Sequence, residues 1–139
     1  MKKIFSLKTL IVTGLIIIFT SCTTAPIYNV IDHPINYQYD KSLNEEQISK
    51  AIYQAGNQLN WTMVQKKPNQ IIATHIKSHL RAVVDITFDK THYSIDYHNS
   101  SNLAYNGQGI NRRYNFWVVR LSDEIRKNLK IKFNELSNK

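Results

Sequence analysis

The sequence predicts an α+β fold, a two-layer sandwich in which two helices cover one face of a four-stranded antiparallel sheet (α-β-β-β-β-α). Three observations predict it. Between residues 61 and 98, short segments alternate apolar and polar side chains, as strands buried on one face do. Two flanking segments repeat apolar residues every three or four positions, the spacing of amphipathic helices. Both helical stripes and one strand face are apolar, so they can bury one another in a shared core.

Each element has its own justification. Ser42-Leu43-Asn44-Glu45 reads as a capping box that opens the first helix near Ser42. Ile48, Ala51, Ile52, Ala55 and Leu59 then share one helical face; Gly56 and Asn57 weaken its end, and Asn60 closes it. Trp61 to Gln65 is the first strand and runs into a turn at Lys67-Pro68-Asn69. Ile71 to Lys77 is the second. Ala82 to Asp89 is the third, with Val84, Ile86 and Phe88 on one face. His92 to His98 is the fourth, with Tyr93, Ile95 and Tyr97 on one face. Asn99 to Gly109 is a loop rich in Asn, Ser and Gly. Tyr114, Trp117, Val118, Leu121, Ile125 and Leu129 make the stripe of a closing helix from about Asn111 to Phe133, with Trp117 buried against the sheet.

Upstream of this domain the sequence changes character. Lys2, Lys3 and Lys8 precede an apolar run from Leu10 to Phe19, interrupted by Thr13 and Gly14, and then the small residues Thr20 and Ser21. That layout is a secretory signal. A spanning helix needs about 20 apolar residues, roughly twice this run. Cys22 follows, the single cysteine of the 139 residues. One cysteine excludes an internal disulfide framework and any zinc site built on two or more thiolates. Thr20-Ser21-Cys22 resembles the end of a bacterial lipobox, although Phe19 stands where Leu is usual. The resemblance implies cleavage before Cys22 and acylation of Cys22; a short uncleaved anchor is the competing reading. Stable anchoring takes two or more acyl chains, which a triacylated Cys22 provides. Thr23, rather than Asp, leans the destination towards the outer membrane, facing the periplasm. The chain therefore divides into a signal peptide at 1–21, a lipidated tether at 22–41 and one α+β domain at 42–139. Tyr28, Val30, Ile35, Tyr37 and Tyr39, within that tether, include alternating apolar positions and could alternatively add an edge strand.

Loss of residues 1–21 removes three lysines and no acid, and lowers the formal charge from +8 to +5. That excess is well short of a nucleic-acid-binding extreme. It favours weak association with anionic head groups or acidic wall polymers.

The segments KAIYQAGNQLNWTMV, VVDITFDKTHYSIDYHNSSNLAY and INRRYNFWVVRLSDEI resemble a group of small uncharacterised bacterial lipoproteins that end in a "YN.WV..L...I" helix. The resemblance spans residues 48 to 125. It implies a compact α+β domain in the cell envelope and assigns no reaction.

The catalytic signals are sparse. There is no G-x-S-x-G, no glycine-rich phosphate loop and no H-E-x-x-H, and no cofactor or metal is expected. His98 and Ser100 are the closest approach to a base and a nucleophile, and support a cell-envelope hydrolase as the alternative reading. His75 and His79 are too far apart along a strand, about 13 Å, to share a metal. Arg112 and Arg113 stand at the positive end of the closing helix, where cations are slightly unfavourable. They either point to water, are relieved by an acid such as Asp123 or Glu124, or join free helix amides in an anion site. Asn99, Asn102 and Tyr105 in the preceding loop suit sugars or peptides, and equally suit amides that cap their own backbone.

Register gives one further expectation. A two-residue turn at Lys90-Thr91 would set Phe88 against Tyr93, Ile86 against Ile95 and Asp85 against Asp96. Pairing Ile76 with Val84 would add His75 to that row, on the face away from the helices. Facing carboxylates repel; neutralisation by Lys77 or another cation, a slipped register, or a metal- or proton-sharing site would each resolve the row.

The leading expectation is a non-enzymatic accessory or binding module, anchored to a membrane through Cys22, with peptidoglycan or another envelope protein as partner and no nucleic acid. Cys22→Ser is expected to abolish lipid labelling and to leave the precursor uncleaved or free in the periplasm. Membrane attachment that survives with an intact N-terminus would identify the apolar run as the anchor.

Overall fold

A computed structural model describes residues 23–35 and 42–138. The expected signal peptide, Cys22 and residues 36–41 of the expected tether lie outside them. Seven strands and two helices are described: β1 (Thr24–Pro26), β2 (Val30–Pro34), α1 (Glu45–Gln58), β3 (Trp61–Lys67), β4 (Gln70–Lys77), β5 (Leu80–Phe88), β6 (His92–Ser101), β7 (Gly109–Asn111) and α2 (Arg112–Ser137).

The fold is α+β, with a larger sheet than the sequence predicts. Five antiparallel strands run in the order β2-β6-β5-β4-β3, and β1 pairs with β7 in a separate two-stranded ribbon. Part of the stretch read as tether supplies the difference. Val30 sits opposite Ile95 and is buried, Ile35 is buried, and the Ile35 amide donates to the Thr91 carbonyl at 2.7 Å. Two apolar side chains and a sheet edge with free backbone groups are enough to bind this segment. The folded unit therefore reaches back to Thr24, well before the expected boundary at residue 42.

Residue chemistry fixes the element ends. The capping box of α1 is two residues later than expected. Asn44 Oδ1 accepts from the Gln47 amide, and Gln47 Oε1 accepts from the Asn44 amide, both at 2.9 Å. Ser42 and Glu45 do not form it, and Leu43, just before the N-cap, is buried in the core. Gly56 is buried in α1 against β3: a Cβ there would lie 2.2 Å from Met63 Sδ. Asn60, at φ +59°, turns the chain from α1 into β3 in a left-handed conformation that Asn tolerates better than most residues.

The β5–β6 register is the expected one. Phe88 faces Tyr93, Ile86 faces Ile95 and Asp85 faces Asp96. The β4–β5 register is not. Ala73, rather than Ile76, faces Val84, and His75 faces Ala82. The cause is a two-residue turn at Ser78-His79, with Ser78 at φ +57°, which brings Leu80 opposite Lys77. The shift is an odd number of residues, so it moves His75 to the helix side of the sheet. Further along, Val84 faces Tyr97 while Val83 faces Asn99, so His98 is the extra residue of a β-bulge.

The core lies between the sheet and the two helices. Ile71, Ala73, Val84, Ile86, Tyr93 and Ile95 meet Ile48, Ile52 and Ala55 of α1 and Tyr114, Val118, Leu121, Ile125 and Leu129 of α2. The expected stripe of the closing helix is thus the buried one, although α2 runs four residues further than Phe133. Buried polar groups are tied across layers. The Tyr93 hydroxyl bonds Ser122 Oγ at 2.7 Å, and Asn128 Nδ2 donates to Gln58 Oε1 at 2.9 Å, joining the helices. The Tyr114 hydroxyl is buried with no hydrogen-bond partner.

Two substitutions separate packing from polarity. Trp117→Ala is expected to cost about 3–5 kcal/mol by opening a cavity under α2. Tyr114→Phe removes only the unpaired hydroxyl and is expected to be neutral or slightly stabilising. Denaturant midpoints measure both.

Candidate functional site

The altered register sets His75 in a cleft between the sheet and α2. His75 projects to the helix side near the end of β4, where the sheet meets α2. Its ring packs 4.7 Å from Trp117, edge-on, and 5.1 Å from Trp61. Its Nδ1 lies 3.3 Å from the Asn60 carbonyl. Burial among these rings pulls the imidazole pKa below its ordinary value, against the raising effect of the Asn60 carbonyl. The neutral ring is therefore the favoured form.

Around His75 is a cleft of about 360 Å³, walled by Trp61, Trp117 and Phe116 and edged by Lys77 and Arg120. A second hollow of about 310 Å³ shares Lys77, Phe116 and Trp117 and adds Ser78, His79 and Arg113. Phe116 stands between them, 57% exposed, with the Arg120 guanidinium carbon 5.6 Å from its ring centre. An exposed aromatic ring beside cations can hold the apolar part of a ligand while the cations hold its negative charge.

The charges of α2 divide into two groups. In the C-terminal half, Arg126 pairs with Asp123, Lys127 with Glu124 at 3.0 Å and Lys132 with Glu135 at 3.0 Å. In the N-terminal half, Arg112, Arg113 and Arg120 make no ion pair among the described residues, and neither does Lys77 beside them. The acids named as possible partners for Arg112 and Arg113 thus serve cations further along the helix.

The residues singled out from the sequence are only partly brought together. Arg113 lines the second hollow, and Asn102 Nδ2 donates to the His79 carbonyl at 2.7 Å, which ties the loop to that end of the sheet. Arg112 is exposed beside Arg113. Two of the helix amides expected to be free there are already used: Arg112 N–H donates to the Thr23 carbonyl at 3.2 Å, and Arg113 N–H to Asn111 Oδ1 at 3.0 Å. Asn99 Oδ1 accepts from the Ser100 amide at 2.7 Å, the self-capping arrangement. Tyr105 packs on Tyr97 with ring centres 4.5 Å apart. The sequence reading missed Phe116 and the His75 cleft, and it offered Lys77 as the cation beside the carboxylate pair, whereas Lys77 edges the cleft and His98 and Gln70 stand beside Asp85. The signal available for Phe116 was its place beside the buried stripe, an aromatic residue on a face otherwise given to cations.

The opposite face of the sheet carries the expected carboxylate pair with a different histidine. Asp85 and Asp96 face one another, and His98 rather than His75 stands beside them, with Nδ1 2.7 Å from Asp85 Oδ2. Gln70 Nε2 donates to Asp85 Oδ1 at 2.9 Å, so two neighbours accommodate that carboxylate. Burial, and then the charges of Asp85 and Asp32, raise the pKa of Asp96. Among the described residues no group of three His, Cys, Asp or Glu could hold a metal ion. His98 is committed to Asp85, and the Ser100 hydroxyl bonds the Tyr97 hydroxyl at 2.9 Å; no hydrogen bond joins His98 to Ser100. No helix among the described residues is long and apolar enough to cross a membrane.

Comparison with protein-family models, curated proteins and solved structures finds no match to the chain.

The lowered pKa of His75 fixes the sign of a pH effect. Between the folded value and the unfolded value near 6.5, the unfolded chain binds more protons. Stability is therefore expected to fall as pH drops from about 6.5 towards the folded pKa, and to be independent of this group above it. His75→Gln should flatten that part of the stability–pH curve, as measured by urea midpoints at successive pH values.

Proposed function

We propose that the protein is a bacterial envelope lipoprotein, held by acyl chains on Cys22 at the outer membrane and facing the periplasm, whose domain is a non-enzymatic binding module for an anionic ligand. The observation that carries the binding role is the unpaired cationic rim, Lys77, Arg113 and Arg120, around the exposed ring of Phe116. Of these, Arg113 stands in the first turn of α2, where an unpaired cation costs stability, and an anionic ligand is the natural compensation. Carboxylate-bearing wall fragments and lipid head groups both fit a site with aromatic walls and a basic edge. The lipid anchor is supported by the order of basic residues, apolar run, small residues and Cys22 in the sequence. The hydrolase alternative has weaker support, since His98 and Ser100 are engaged with separate partners.

The detergent-solubilised lipoprotein is expected to bind anionic wall fragments or phospholipid head groups saturably, without turnover. Arg113→Ala and Arg120→Ala should each weaken binding by roughly tenfold, the worth of one charge-assisted contact, and added salt should weaken it further. Isothermal titration measures both effects. Turnover of wall fragments that disappears in Ser100→Ala would instead establish the hydrolase.

A further inference from the structure

We infer that the partner of the basic, aromatic face of α2 is the bilayer itself. The domain lies on anionic head groups with Phe116 at the interface, instead of standing clear of the membrane on a tether. The orientation requires the lipid on Cys22, and so rests on the reading above.

The first ground is where the chain enters the fold. The Thr23 carbonyl accepts from the Arg112 amide, the first residue of α2. Thr24 then pairs with Asn111, Ala25 with Ile110 and Pro26 with Gly109. Asn115 of α2 fastens the next residues: its Nδ2 donates to the Pro26 carbonyl at 2.8 Å, and its Oδ1 accepts from the Tyr28 amide at 3.0 Å. No slack separates the domain from the anchor. One peptide unit, about 3.8 Å between Cα atoms, joins Cys22 to a residue hydrogen-bonded to α2. Acyl chains leaving Cys22 would enter the bilayer beside the N-terminal turn of this helix.

The second ground is what that turn displays. Arg112, Phe116 and Arg120 are four residues apart and lie along one face of the helix. Arg113 and Val119 flank them and are exposed, and Lys77 adds a cation from the neighbouring strand end. Exposed apolar side chains set among unpaired cations are the composition of a surface that rests in an anionic interface.

The third ground is the charge on the other side. Asp85 and Asp96 lie on the sheet face turned away from the helices, and Asp32 lies close enough to raise the pKa of Asp96. Arg81 of β5 shares that face and partly offsets the carboxylates. Among the described residues no acid is paired with the cations of the helix face, so an anionic membrane attracts the helix face more strongly and favours one orientation.

Photocrosslinking tests the orientation. p-Benzoylphenylalanine replaces Phe116 in one full-length chain and Val64, on the sheet face turned away from the helices, in another. Each lipoprotein is reconstituted into vesicles of phosphatidylglycerol and phosphatidylethanolamine and irradiated, and acylation of Cys22 is read from the mass of its N-terminal peptide. The expected result is lipid adduct at position 116 and at least about tenfold less at position 64. Arg113→Glu with Arg120→Glu, or vesicles of phosphatidylcholine alone, should lower the yield at 116 by a similar factor. An acylated chain with equal yields at both positions overturns the orientation and leaves the binding module standing. Adducts at 116 formed only with protein, when intact envelopes are irradiated, overturn it in favour of a protein partner. An unacylated Cys22 overturns the lipoprotein reading and the orientation together.

Discussion

The two-residue turn at Ser78-His79 is the constraint on which the rest of the site depends. A turn this short leaves one register for β4 against β5, with Lys77 opposite Leu80. That register sends Ile71, Ala73 and His75 to the helix side and Ile72, Thr74 and Ile76 to the open side. Two consequences follow. Small Ala73 and Ala82 sit under the helices and let them approach the sheet closely. His75, the polar member of the row, falls at the margin where the sheet passes the end of α1, and two tryptophans close over it. A slip by one residue would bury Ile76 and expose the imidazole, and would remove the cleft.

The bulge at His98 does comparable work on the other side of the sheet. It inserts a residue opposite the Val83–Val84 step and places an imidazole against Asp85. Without that neighbour, two facing carboxylates would meet with only Gln70 to separate their fields. Beyond the bulge the strand resumes with Ser100 opposite Ala82, where its hydroxyl meets Tyr97. A residue that looks like half of a catalytic pair in sequence is thus explained by strand geometry and charge relief.

Much of the fold was legible because most signals were redundant. The apolar stripe of α2, the alternation in β5 and β6 and the tight turn at Lys90-Thr91 each agreed with their neighbours, and all three are present. The β4 segment was not redundant. Ile71, Ile72, Ala73 and Ile76 put apolar residues on both faces, so alternation could not choose a register, and a longer connection to β5 was assumed. The edge strand β2 was legible only as the alternative to a tether, for a different reason. Its short run carries Asp32, His33 and Pro34, and Asp32 takes φ +45°, which breaks the period-2 pattern. The candidate site was legible only as a list of cations. Pairing of Arg126, Lys127 and Lys132 with acids, and the lack of it at Arg112, Arg113 and Arg120, is a property of three-dimensional neighbours.

The two outer strands of the five-stranded sheet have a bearing on how densely such molecules can be crowded. An open sheet edge offers unpaired amides and carbonyls to any neighbouring chain, and is a common seed of aggregation. Here one edge is β2, five residues long, with an irregular register after Val30 and a proline at its end. The other is β3, which carries Lys66 and Lys67 and runs into Pro68. Neither edge can extend a ladder easily: the first is bent and lacks an amide, and the second brings like charges together. Copies gathered side by side on a surface would therefore meet through side chains rather than through backbone, and would remain separate molecules at high density.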